Sequence, residues 1–162
     1  MVLVEGITDH YYFSAMGEYL GLDEALAFVP AMGVDNLPVL ASLCLGWGYD
    51  FKAVFDSGKQ GNRAERLLRK KLFPDDPDEF ARRVHKLKGA EGVEDLFSRT
   101  DFARSVLGRE VPANRSNSVV ARSEKKELLG RLFSDRLKSE SVQLSRATKN
   151  RFSAVFEWLD DR

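Results

Sequence analysis

Short apolar runs alternate with longer segments of helical periodicity over roughly the first hundred residues of the chain. Four runs predict strands, at residues 1–4, 25–29, 51–55 and 84–87. Each is bounded by glycine, proline or charged residues, as is typical of strands buried on both faces of a parallel sheet. The alternation favours an α/β fold, with a mainly parallel sheet of about four strands and helices on both faces.

Helical periodicity predicts the segments between and after these strands. They lie at residues 9–20, 37–46 (or to 48), 62–72, 93–108, 124–137 and 146–159. Residues 111–118 are polar, contain a proline and have no periodicity, so they are predicted to form a loop. We therefore expect an α/β core at residues 1–110 and a C-terminal helical extension at residues 111–162.

Composition is that of an ordinary globular protein and excludes several classes. Of the 162 residues, 43% are hydrophobic, and 25 basic side chains balance 25 acidic ones. This balance provides no global attraction to nucleic acid. The longest mostly apolar stretch, 39–47, is shorter than the ~20 residues that span a bilayer. Met1 opens directly into a strand without a leader signal, and the single Cys44 excludes an internal disulfide, so a cytoplasmic protein without a membrane partner is expected.

The charge is unevenly distributed along the chain. Six basic side chains lie between positions 59 and 71 against one acid: Lys59, Arg63, Arg66, Arg69, Lys70 and Lys71. Such a run is usually a solvated helix face. It acquires a function only if the helix borders an acidic crevice.

Two predicted strands end in carboxylates, Glu5 and Asp56. The ends of parallel strands meet at one edge of a sheet, and Gly6 permits a tight turn there. With Thr8 as N-cap, Asp9 lies in the first turn of the next helix and reaches the same crevice. The alternative is a solvated strand end followed by an acid that suits the helix dipole. Clustered carboxylates are costly unless a cation neutralises them, and Mg²⁺ prefers oxygen ligands, so the residues predict an acidic metal-binding pocket.

These motifs resemble the topoisomerase–primase (Toprim) domain. Its pattern is a Glu after the first strand and a later strand ending Asp-x-Asp-x-x-Gly, which is similar to residues 2–6 and 56–61. Further motifs are similar to one branch, the overcoming-lysogenization-defect (OLD) family of ATP-dependent nucleases. They are the spacing of Glu5 and Asp9 with Tyr11-Tyr12-Phe13 after it, Gly92-Val93-Glu94-Asp95-Leu96-Phe97, Lys126-Glu127-Leu128-Leu129-Gly130-Arg131, and a closing Thr-x-x-x-Phe helix within 144–159. The resemblance spans nearly the whole chain, with one departure: Gly58 stands where the pattern has a second acid.

The resemblance implies a DNA endonuclease that hydrolyses phosphodiester bonds with one or two Mg²⁺ or Mn²⁺ ions. Glu5, Asp9 and Asp56 would hold one ion. Glu94, helped by Asp95, would serve a second ion, although both acids also suit the start of a helix without any catalytic role.

The resemblance also implies cations around the reacting phosphate. Lys126 would offset charge in the transition state, with Lys125 as the alternate. DNA phosphates would be held by three side chains of the basic segment: Lys59, Arg63 and Arg66. The isolated His10 and His85 are not expected to be catalytic.

An ATPase domain preceding Met1 is a further expected partner, since this chain has no Gly-x-x-x-x-Gly-Lys-Ser/Thr loop of its own. DNA and a second copy of the chain complete the expected partners. Gly58 and the zero net charge keep open an alternative, a non-catalytic Toprim-fold binding or assembly module with a degenerate metal site. A receiver-like signalling domain is disfavoured, because the candidate lysines lie on predicted helices and not at the end of a later strand.

Overall fold

A computed structural model describes residues 1–22, 26–139 and 141–160. Its strands are β1 (Val2–Val4), β2 (Phe28–Pro30), β3 (Lys52–Phe55) and β4 (Val84–Lys86). All pairs are parallel, and the order is β2-β1-β3-β4. The expected α/β class with a four-stranded parallel sheet is confirmed. The start predicted for the second strand, Ala25, lies outside the described residues, and Pro30 belongs to β2, an edge strand where proline is tolerated.

The helices are α1 (Ile7–Leu20), α2 (Leu37–Gly46), α3 (Lys59–Leu72), α4 (Pro77–Arg83), α5 (Arg99–Asp101), α6 (Asn117–Arg122), α7 (Lys126–Ser139) and α8 (Arg146–Asp160). A 3₁₀ turn spans Val93–Leu96, and α5 continues as a π-helical segment, Phe102–Leu107. No helix in the described ranges is long and apolar enough to cross a membrane.

Two helices, α1 and α3, begin two and three residues earlier than the sequence predicts. α1 begins at Ile7, so Thr8 lies inside the helix, and the N-cap is Gly6. The side chain of Asp9 accepts a hydrogen bond from the Gly6 backbone N–H at 2.9 Å. α3 begins at Lys59, directly after Gly58, and not at residue 62.

Helix α6 and the start of α7 also differ from the prediction. α6 begins inside the predicted loop, where the side chain of Ser116 accepts from the backbone N–H of Val119. Ser123, predicted as the N-cap of the next helix, follows the last residue of α6 and donates to the backbone oxygen of Val120. α7 begins at Lys126.

Helices cover both faces of the sheet, because alternate strand residues point to opposite sides. On one face, Val4 and Val54 pack with α1, α7 and α8. On the other, Leu3 and Phe55 pack with α2, α3 and α4. Residues on both sides of position 110 share the first of these cores, so the C-terminal helices belong to the same packed unit as the strands.

Helix α7 lies close against α1 at Gly130. A Cβ at that position would be 3.4 Å from Tyr11 Cβ and 3.6 Å from Thr8 Cγ2. One turn later, the Phe133 ring packs against Tyr12, with 5.6 Å between ring centroids. This crossing holds the first turn of α7 beside the first turn of α1.

Candidate functional site

The sheet order reverses at β1, which has β2 on one side and β3 on the other. In open α/β sheets, ligands bind at such a point, outside the carboxyl ends of the strands. The register pairs Val4 with Val54, which brings the Glu5 and Asp56 ends to the same edge. A cleft of about 810 Å³ opens there. Among the described residues, its lining includes the acids Glu5, Asp9, Asp35, Asp56, Glu91 and Glu94 and the cations Lys59, Arg63, Arg122 and Lys126.

Backbone amides orient three of these carboxylates. Glu5 Oε1 accepts from the Asp56 N–H at 3.2 Å, and Asp56 Oδ1 accepts from the Gly58 N–H at 2.8 Å. The bond from Gly6 to Asp9 does the same on the other side. Each carboxylate is thus held by one oxygen, in a position set by the main chain.

The first turn of α3 presses onto two of the carboxylates at Gly61. A Cβ there would lie 2.1 Å from the backbone oxygen of Asp56 and 2.8 Å from Glu5 Oε1. Gly92 is similarly confined, since a Cβ would lie 2.5 Å from Glu94 Oε2. At both positions an acidic residue lies so close to the backbone that a Cβ atom would clash with it, which favours glycine.

Burial and mutual repulsion raise the pKa of the cleft carboxyls. Burial, with the charges of Asp56 and Asp9, raises the pKa of Glu5 to about 8. Burial raises the pKa of Asp9 to about 6, and burial together with the charge of Asp9 raises that of Glu94 to about 7. The pKa of Asp56 is also raised by burial. These four carboxyls interact, and their charged forms need a neutralising cation.

Lys126 is placed to act on the whole cluster. Its positive charge lowers the pKa of all four carboxyls against the effect of burial. Both lysines are exposed, but Lys125, the alternate, lies outside the cleft lining. The structure thus separates two neighbouring lysines that the sequence could not distinguish.

Arg122, at the end of α6, is a cleft residue that was not predicted. Its charge lowers the pKa of Asp56 against the effect of burial, and its guanidinium donates to the backbone oxygen of Glu91 at 2.6 Å. Arg122 lies four positions before Lys126, but the two are on separate helices. Sequence spacing alone therefore could not place them in one cleft.

Helix α3 carries the basic segment, and only its N-terminal part borders the cleft. Lys59 and Arg63 line it, whereas Arg66 is exposed and outside the lining. Arg63 forms a two-bond ion pair with Asp35, at 2.7 and 3.0 Å. Both partners are exposed, so the pair is of the weak surface type and Arg63 can exchange it for a phosphate at small cost.

Asp95 lies outside the cleft lining, unlike Glu94 next to it. Its Oδ1 accepts from the Ser118 N–H at 2.9 Å, and its Oδ2 accepts from the Ser118 hydroxyl at 2.7 Å. These bonds join the 3₁₀ turn to α6 and use both carboxylate oxygens. In this structure Asp95 supports the helix that carries Arg122.

Tyr12 approaches the cluster from the core. Among the described residues, its hydroxyl is the only buried side-chain polar atom without a hydrogen-bond partner. Burial, then the charges of Glu94 and Asp9, raises its pKa well above the ordinary value. In the sequence, Tyr12 is notable only within the Tyr11-Tyr12-Phe13 motif of the family resemblance, which gives its hydroxyl no role.

The donor set suits a hydrated divalent ion. In the described ranges, no group of three His, Cys, Asp or Glu side chains could hold a metal ion on its own. Mg²⁺ commonly keeps several waters and uses one or two carboxylates together with substrate phosphates, and all donors here are oxygens. Whether Glu5, Asp9 and Asp56 share one ion stays a prediction.

Comparison with protein-family models, curated proteins and solved structures gives no match. The resemblance to the Toprim domain and to the OLD family therefore rests on the motifs of this chain and stays a prediction.

Proposed function

We propose that this chain is a divalent-metal-dependent DNA endonuclease, the catalytic Toprim region of an OLD-type nuclease. One observation carries the proposal. Carboxylates from the ends of two strands, the start of α1 and the 3₁₀ turn line a single cleft, with Lys126 and Arg122 also in its lining. An arrangement of oxygen ligands beside cations suits a metal-bound phosphate.

Glu5, Asp9 and Asp56 would hold Mg²⁺ or Mn²⁺, with Glu94 serving a second ion. Bound metal supplies activated water and stabilises the leaving oxygen in phosphodiester hydrolysis. The chain itself contributes preorganisation, because backbone amides already fix one oxygen of three carboxylates. A divalent cation would displace protons from carboxyls whose pKa values are raised.

The cations would bind the substrate. Lys126 and Arg122 would contact non-bridging oxygens of the reacting phosphate, where negative charge accumulates. Lys59, in the first turn of α3, would hold a neighbouring phosphate, and Arg63 would do so after leaving Asp35. Contacts of this kind position DNA without reading its sequence.

The test is cleavage of supercoiled plasmid with Mg²⁺ or Mn²⁺, followed on agarose gels. We expect nicked or linear products, and a loss of about 10²–10³-fold in rate for Lys126→Ala, as when a transition-state donor is removed. Lys125→Ala is the matched control, since it removes a neighbouring exposed lysine outside the cleft, and it should retain the wild-type rate. Intact plasmid with every metal, or cleavage that survives Glu5→Gln, would reject the proposal.

A second candidate is a non-catalytic module that keeps the fold and lacks metal chemistry. Gly58 in place of an acid and the incomplete ligand set among the described residues favour it. Calorimetric titration with Mg²⁺ separates the two. Absence of binding at millimolar metal, together with absence of cleavage, would support the module.

DNA is the proposed substrate, and an ATPase domain preceding Met1 is a proposed partner in a longer protein. We also propose a cytoplasmic location. Cys44 is a buried free thiol, as is common for cysteines in reducing compartments.

A further inference from the structure

The hydroxyl of Tyr12 differs from the other buried polar groups of the protein. Tyr12 is 0% exposed, and within residues 1–22, 26–139 and 141–160 no other buried side-chain polar atom lacks a hydrogen-bond partner. A buried hydroxyl without a partner costs free energy, whereas phenylalanine would fill the same space without that cost. The presence of tyrosine is therefore explained by a partner that the hydroxyl gains when the cleft is in use.

The Tyr12 ring lies between the two elements that bring the later residues of the chain to the cleft. Phe97, at the end of the 3₁₀ turn that carries Glu94, packs edge to face against the ring with 5.4 Å between centroids. Phe133 of α7, the helix that begins with Lys126, packs against it at 5.6 Å. The hydroxyl lies on the axis about which the ring flips, so these contacts fix its position.

The charges that act on the hydroxyl are those of two cleft acids. Asp9 lies one helical turn before Tyr12, on the same side of α1. Burial has the largest effect on the pKa of Tyr12, followed by the charge of Glu94 and then by that of Asp9. The raised pKa keeps the phenol protonated at neutral pH, as a hydrogen-bond donor. Asp9 already accepts from the backbone N–H of Gly6 at 2.9 Å, so Glu94 is the better suited acceptor for this donor.

We propose that Tyr12 is a positioning residue, whose hydroxyl donates a hydrogen bond to the carboxylate of Glu94 when that carboxylate holds a divalent ion. An ionised carboxylate accepts at both oxygens, so Glu94 can bind an ion and accept from Tyr12 together. Carboxylates that bind metals are commonly held by such outer donors. Backbone amides hold one oxygen of each of the other three carboxylates, and Tyr12 would do the same for Glu94. The inference rests on the metal site of the proposed function.

The test compares the wild type with Tyr12→Phe, which removes the hydroxyl and keeps the ring. Calorimetric titration with Mg²⁺ measures the dissociation constant, and urea denaturation without divalent ions measures the stability. We expect the dissociation constant for the ion that Glu94 holds to rise about 10–100-fold. The urea midpoint should stay the same or rise, because the variant no longer buries a hydroxyl without a partner. A residue that only supports the fold would instead lower the midpoint.

Two further variants make the comparison specific. Tyr49→Phe is the matched control, since it makes the same chemical change at a side chain that is 56% exposed and outside the cleft lining. It should bind Mg²⁺ like the wild type. Glu94→Gln removes the carboxylate that Tyr12 would orient. Adding Tyr12→Phe to Glu94→Gln should therefore change the dissociation constant that remains by less than about twofold.

Four results would overturn the inference. They are Mg²⁺ binding by Tyr12→Phe that is as tight as in the wild type, a lowered urea midpoint without divalent ions, equal weakening by Tyr49→Phe, and independent effects of Tyr12→Phe and Glu94→Gln.

Plasmid cleavage separates this inference from the proposed function. Cleavage by the wild type, with unchanged Mg²⁺ binding by Tyr12→Phe, rejects the role of Tyr12 and leaves the nuclease in place. Weakened Mg²⁺ binding by Tyr12→Phe, with no cleavage by the wild type, supports the role of Tyr12 and rejects the nuclease. A wild type that binds no Mg²⁺ overturns both.

Discussion

Gly58 lies between two oxygen atoms of the cleft. A Cβ at this position would be 3.0 Å from Asp56 Oδ1 and 3.1 Å from the backbone oxygen of Glu91. The acid of the Toprim pattern would therefore require a small shift of the Asp56 side chain or of the Glu91 backbone. The backbone N–H of Gly58 donates to Asp56 Oδ1. Position 58 therefore orients the carboxylate of Asp56, whereas in the family pattern it supplies a second carboxylate of its own.

Gly61 is the residue at which a single methyl group should have the largest effect on the cleft. A Gly61→Ala side chain would meet the backbone oxygen of Asp56 at 2.1 Å, so the start of α3 must move. We expect the free energy of unfolding to fall by about 1–3 kcal/mol, measured by urea denaturation. Gln60→Ala, at the exposed neighbouring position, should change it by less than about 0.5 kcal/mol. Equal stability of the two variants would contradict the close approach of α3.

At the scale of the element, a buried carboxylate in α5 fixes the start of α8. Asp101 is 1% exposed and accepts from the Ser145 N–H at 2.9 Å and from the Thr148 hydroxyl at 2.5 Å. Burial acts to raise the pKa of Asp101, but these hydrogen bonds outweigh it and leave the pKa below its ordinary value. α8 then packs its aromatic residues against α1.

Asp101→Asn should therefore loosen α8. The amide of Asn brings N–H groups toward donors, so at least one buried hydrogen bond is lost and the free energy of unfolding should fall by about 1–3 kcal/mol. Hydrogen exchange should locate the change in α8. Asp135→Asn, an exposed substitution on α7, is the control and should leave both measurements unchanged. Uniform exchange along the chain in the Asp101 variant would argue against a local role.

The elements that could be predicted from the sequence are those with a complete hydrophobic pattern. β1 appears as an uninterrupted apolar run and β3 as an apolar run that only Lys52 interrupts. The fifteen residues of α8 repeat their apolar positions over four turns. α4 and α6 have seven and six residues, too few to establish a period, and their side-chain N-caps, Asp76 and Ser116, were not recognised.

The residues of the cleft also divide into those that the sequence could place and those that it could not. Glu5 and Asp56 could be placed together because parallel strands share an edge, a rule that needs no knowledge of side-chain packing. Arg122 and the pairing of Arg63 with Asp35 could not, because they depend on which helices and loops meet across the cleft.

For the whole molecule, the cleft should couple stability to pH and to divalent cations. The pKa values of Glu5, Glu94 and Asp9 in the folded protein, about 8, 7 and 6, lie above their ordinary values, so the folded state binds more protons than the unfolded state. Their contribution to stability is complete below the ordinary carboxyl pKa and is lost as pH rises through the folded values. The free energy of unfolding should therefore decrease from about pH 5 to about pH 8 in the absence of metal.

Mg²⁺ should reverse this loss, because an ion that binds only the folded state stabilises it. Thermal unfolding at both ends of this pH range, with and without Mg²⁺, provides the measurement. The gain from Mg²⁺ should be larger at the alkaline end. Glu5→Gln should flatten the pH dependence and reduce the Mg²⁺ effect. A melting temperature that rises with pH by equal amounts in both proteins would contradict the coupling.

The crossing of α7 over α1 at Gly130 has a consequence for biosynthesis. The first acid of the cleft is residue 5 and the last cation is residue 126. These positions are 121 residues apart along the chain, so a polypeptide interrupted between them would carry the acid without that lysine. Assembly of the cleft thus requires synthesis past α7.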